Sequence, residues 1–96
     1  MLLGGTYRFR AGVDQRIGLK RFQLWRPPAG FSFQGHWATA DGMGGMFVAE
    51  ADSAAAAIEA TATFADMLEF HLVPVLDIME AVPINTRVLE WIGSVS

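Results

Sequence analysis

Four polar residues sit inside alternating apolar stretches rather than in loops: Arg8, His36, Glu50 and His71. A histidine near its ordinary pKa of about 6.5 gives or takes a proton at neutral pH, and an arginine holds an anionic group. Counting alternate positions along each extended stretch puts Thr6, Arg8, Gln34, His36, Met46, Val48, Glu50, His71, Val73 and Val75 on one sheet face. That mixture predicts a ligand surface with His36 as acid-base and Thr6, Arg8, Gln34, Glu50 and His71 as binding groups. His36, Glu50 and His71 also have the donor types of a His/His/carboxylate metal site. Their spacing matches no ligand motif, and the histidines fall on edge strands at opposite sides of the sheet, so neither metal nor cofactor is expected. Arg8 and Glu50 fall on the two central strands, where a structural ion pair is favoured because one buried charge requires another. Gly42, Gly44 and Gly45 read as a hairpin turn, since no helix N-terminus follows them to hold a phosphate. No serine lies in a nucleophile-elbow pattern.

The elements that must position these residues follow from periodicity. Leu2 to Arg10 alternates, with Leu3, Gly5, Tyr7 and Phe9 on one side. From Val13 the apolar positions Val13, Ile17 and Leu24 recur with helical spacing, weakened by Gly18, and Pro27-Pro28 ends the helix. Phe31 to Trp37 alternates, with Phe31, Phe33 and Trp37 opposite Ser32, Gln34 and His36. Asp41 to Gly45 reverses the chain into a strand from Met46 to Ala51. Asp52 or Ser53 caps an alanine-rich helix whose buried flank is expected at Ala54, Ala57, Ile58, Thr61 and Ala65. Leu68 to Leu76 is extended, and Pro74 makes it an edge strand. Asp77 to Glu80 has capping-box spacing, and Ile84, Val88, Trp91 and Ile92 form a terminal helical stripe after Pro83.

This order predicts a single α+β domain over residues 1–96: a split βαββαβ, ferredoxin-like, four-stranded antiparallel sheet with an added C-terminal helix. Strands one and three are central. An aromatic face, with Tyr7, Phe9, Phe31, Phe33, Trp37, Phe47, Phe70 and Leu72, takes the two crossover helices.

The 96 residues are 52% hydrophobic and 18% charged, an apolar excess for a small chain, and a homodimer through the mixed sheet face is the expected cover. There is no cysteine, which fits the cytoplasm. No stretch has the roughly 18 apolar residues of a membrane helix, so no membrane partner is expected. A net charge of -3 argues against nucleic acid, although basic residues gather in the first third.

Arg26-Pro27-Pro28-Ala29-Gly30-Phe31, Gly35 to Gly42 with its His36-Trp37 pair, Glu50-Ala51-Asp52-Ser53 and Val73-Pro74-Val75-Leu76-Asp77 together carry a family resemblance. Nearly the whole chain resembles the small bacterial proteins grouped as domain of unknown function 3303. The resemblance implies a dimeric α+β barrel of ferredoxin-like topology and supplies no catalytic residue. Two functions remain open. One is a homodimeric small-ligand-binding or scaffold module; the other is a cofactor-independent enzyme, oxygenase- or isomerase-like, using a histidine acid-base on a small organic substrate.

Overall fold

Leu2–Phe9 forms β1 and Gly44–Ala51 forms β3, and large residues lie opposite small ones between them. Leu3 faces Ala49, Gly5 faces Phe47 and Tyr7 faces Gly45. Large side chains over small ones fill this face without crowding, and a one-residue slip would turn them all to the other face, so the alternation selects one register. The computed structural model describes all residues 1–96. Phe31–Ala38 (β2) and Leu68–Pro74 (β4) flank the central pair, giving an antiparallel sheet of order β2-β3-β1-β4. With the crossover helices Gln15–Leu24 (α1) and Ala54–Ala62 (α2), this is the ferredoxin-like split βαββαβ topology, and Ile78–Val95 (α3) is the added helix. Pro74 ends the edge strand β4, where no outer neighbour needs its missing donor.

Both crossover helices lie on the face of Leu3, Phe47 and Ala49. Ser53 caps α2, its Oγ accepting from the Ala56 N–H at 3.1 Å. Ala56, Ala57 and Ala60 are its buried residues, whereas Ile58, expected on the buried flank, is exposed. Small side chains let this helix approach β2 and β3 closely. Helix α1 differs more from expectation. Ile17 and Leu24 point to solvent, and the turn nearest the body is Gly18, packed against Phe9 and Met67. Asp14 caps α1, and the Arg21 guanidinium ties it down through Asp66 at 2.6 and 3.2 Å and the Thr63 carbonyl at 3.0 Å.

Helix α3 starts at its Asp77 cap, whose carboxylate accepts from the Met79 N–H at 2.9 Å, so Pro83 lies inside the helix rather than at its start. None of its residues is buried, and no helix is long and apolar enough to cross a membrane. The radius of gyration is 17.3 Å, against about 12.5 Å for a compact chain of this length. Residues buried elsewhere form two clusters under the helices, one around Phe31, Phe47 and Ala49, the other around Phe64, Met67 and Leu68.

Candidate functional site: an aromatic cavity between sheet and helices

The decisive local feature is a bulge in β2. Phe33 pairs with Ala49 and Gly35 with Val48, leaving Gln34 without an opposite residue. An extra residue on one strand reverses the parity of everything after it. His36 therefore lies opposite Phe47 on the helix face, while Trp37 lies opposite Met46 on the open face. Both placements reverse those expected from strict alternation, and Gln34 belongs to the bulge rather than to a sheet face. Gly35 makes the arrangement feasible, because the Trp37 ring covers the position a side chain there would take.

On the helix face His36 enters an aromatic cluster. Its ring stacks on Phe33 with centroids 4.7 Å apart and planes 18° from parallel, and meets the edges of Tyr7, Phe22 and Phe47. Its Nε2 is 2.6 Å from the Tyr7 hydroxyl. That contact holds with the phenol donating to a neutral ring, or with a ring N–H donating to the phenol oxygen. In both arrangements the pair is uncharged. Burial pushes the imidazole below its ordinary pKa and the phenol above its own, so both groups are neutral at physiological pH. Gly45 creates the room for the Tyr7 ring, since a side chain there would meet its hydroxyl.

The pair lines a cavity of about 560 Å³ between the sheet and α1, within the usual range for small-molecule sites. Its walls are Phe9, Phe22, Trp25, Phe33, Phe47, Phe64 and Phe70, with Gly18 on the helix side. Gln15, Arg16 and Thr61 also reach it. Arg16 is a rim residue, 91% exposed, with Nε and Nη2 held by Asp14 at 3.1 and 3.0 Å. The interior therefore presents one uncharged donor-acceptor pair in an aromatic box.

The open face keeps Thr6, Arg8, Glu50 and His71. Thr6 lies between Met46 and His71, and a recess of about 220 Å³ is lined by Arg8, Glu69 and His71. The expected Arg8–Glu50 pair does not form. Register puts Arg8 opposite Gly44, and Glu50 opposite Leu2, six residues along β1 and roughly 20 Å away. Arg8 instead meets Asp41 at 3.3 Å, and Glu50 binds the Met1 amino group at 2.6 Å. His36 and His71 lie on opposite faces, so the trio with Glu50 is not assembled, and Arg8 cannot anchor a molecule that His36 touches.

Gly44 and Gly45, expected in the turn, lie in β3. A side chain at Gly44 would collide with the Tyr7 carbonyl, so glycine is required there by close backbone approach. Strand alternation missed Tyr7 as a site residue because it reads as core, and it says nothing of Phe22 and Trp25, which lie on α1 and at its end. The available signal was Gly35, since a glycine inside a strand is the usual mark of a bulge.

Neither the curated proteins nor the solved structures contain a match to this chain. A family model does match, over residues 1–89 and so across every strand and both crossover helices. The fold, the bulged His-Trp strand and the aromatic cavity are thus features of a chain that belongs to the family described as Domain of unknown function (DUF3303).

Proposed function

We propose that this chain is a small-ligand-binding module whose ligand is flat, largely apolar and uncharged, with one hydroxyl or carbonyl group directed at Tyr7 and His36. The observation that carries this reading is the aromatic cavity of about 560 Å³ with the neutral Tyr7–His36 pair set among its aromatic rings. Aromatic walls favour flat molecules through edge and offset stacking, and an uncharged pair does not compensate the desolvation of an ion. The module works as a homodimer that covers the open sheet face, where Trp37, Met46 and Val73 are exposed. A cysteine-free chain suits the cytoplasm.

The test is an NMR titration with 1-naphthol and with the similarly sized anion naphthalene-2-sulfonate. The expected result is 1-naphthol binding at about 100 μM or tighter, shifts at Tyr7, His36 and Gly45, and at least about tenfold weaker binding of the anion. Shifts confined to Thr6, Arg8 and His71, or none at all, would overturn it.

A second reading, cofactor-independent acid-base chemistry on the same ligand class, is favoured by one observation. His36 is kept neutral beside an apolar cavity, so a free base is available at neutral pH. Its Nε2 is engaged by Tyr7, and a substrate must displace that hydroxyl or pass its proton through it. On this reading His36→Gln abolishes turnover of a bound enolisable probe, read as solvent deuterium exchange, with binding kept. Exchange at an unchanged rate in the variant removes His36 from the chemistry.

A further inference from the structure

Half of α3 is large, exposed apolar side chain: nine of its 18 residues, with Trp91 64% and Leu89 66% exposed. A lone helix of this length is marginal in water and depends on a packed face. The surplus is measurable for the whole molecule. A compact chain of 10.5 kDa exposes about 5,400 Å², whereas this one exposes 6759 Å². The excess, about 1,300 Å², exceeds the about 800 Å² each partner contributes to a standard interface.

The arm also leaves from the right place. The Val75 N–H donates to the Leu2 carbonyl at 3.0 Å, and the Val75 side chain lies over Gly4, on the face that carries Thr6 and Val48. The chain thus stays in the sheet as far as Val75, and α3, which begins three residues later and buries none of its residues, stretches the molecule to 56 Å. At about 27 Å long, the helix spans a four-stranded sheet about 19 Å wide. A two-fold pair makes such surfaces self-complementary, because each copy supplies one arm and one open face. A lipid surface fits poorly, because the charged residues of α3 are Glu80, Arg87 and Glu90, with no basic face.

We propose that α3 is an exchanged arm, whose stripe of Ile84, Val88, Trp91 and Ile92 docks on the open sheet face of a second copy, over Trp37, Met46 and Val73. This rests on the sheet-face homodimer and adds which segment crosses. The cysteine-free chain makes the test clean. Differently tagged Val88→Cys and Met46→Cys copies are mixed and oxidised, with Ile58→Cys on the exposed side of α2 as the control partner. The expected result is a disulfide between the two different chains that the control pair does not form. Trp91→Glu, in a helix with no buried residue, should weaken the dimer at least about tenfold while preserving the circular dichroism of the body. A dimer indifferent to Trp91→Glu with no Val88–Met46 link overturns the exchange but leaves the sheet-face dimer standing. A disulfide closing within a single Val88→Cys/Met46→Cys chain also overturns the exchange. A monomer at about 10 μM overturns both.

Discussion

Tyr7 and His36 are two ordinary residues made distinctive by a glycine beneath one and a bulge before the other. Removing the phenol oxygen leaves a half-exposed imidazole without its partner, so Tyr7→Phe should cost about 1 kcal/mol, read by urea unfolding. The pH dependence follows from burial of His36. Its folded pKa lies below the unfolded value of about 6.5, so the unfolded chain binds more protons between the two. The stability His36 contributes is therefore fully present above about pH 6.5 and is lost as pH falls through the folded value. Thermal melts from about pH 7.5 to about pH 5 should show a declining Tm, and His36→Gln should flatten that decline. Asp14, Asp41 and Asp66 act in a separate, more acidic window. Their carboxyls are held below the ordinary 3.8 chiefly by Arg16, Thr39 and Arg21 respectively, so their contribution is present above that value and lost only below it.

Elements show which parts of the fold can be read from residue order. The alternation of β1, the hairpin after β2 and Pro74 at an edge determine order and topology, because each depends on a local rule. The face of His36 does not, because one unpaired residue at Gln34 inverts the rest of β2. The packed side of α1 was obscured for a related reason. Gly18 contributes no apolar side chain to a periodic count, yet its small size is what brings the helix against Phe9 and Met67. Cavity volume lies further from sequence, since it depends on how far α1 stands from the sheet. Two substitutions probe this scale. Gly44→Ala forces a side chain into the Tyr7 carbonyl and should destabilise by about 3 kcal/mol, because backbone rather than a flexible side chain must move. Ser53→Ala should cost about 1 kcal/mol through the lost α2 cap. Chemical denaturation of each variant checks both values.

At the scale of the molecule, the two faces of the sheet differ in character. The helix face carries the aromatic cavity, which opens to solvent beside His36 and Phe22, and the open face carries exposed apolar residues beside Thr6, Arg8 and His71. Only 15 of the 96 residues are buried, and none of them is polar or charged, so the isolated chain holds a thin apolar core and leaves much apolar surface to be covered by association. The proposed ligand and the proposed partner take opposite faces, so their effects are separable. Changing Met46 or Val73, neither of which lines the cavity, should alter self-association and leave the cavity wall at Phe33 and Phe47 in place. The most direct test of the cavity as the ligand site is a set of isotope-filtered NOEs from bound 1-naphthol to the protein. The expected contacts are to His36 and Phe47 on the sheet together with Phe22 and Trp25 at α1. Contacts to Thr6, Met46 and His71 would place the ligand on the other side of the sheet and contradict the cavity as its site.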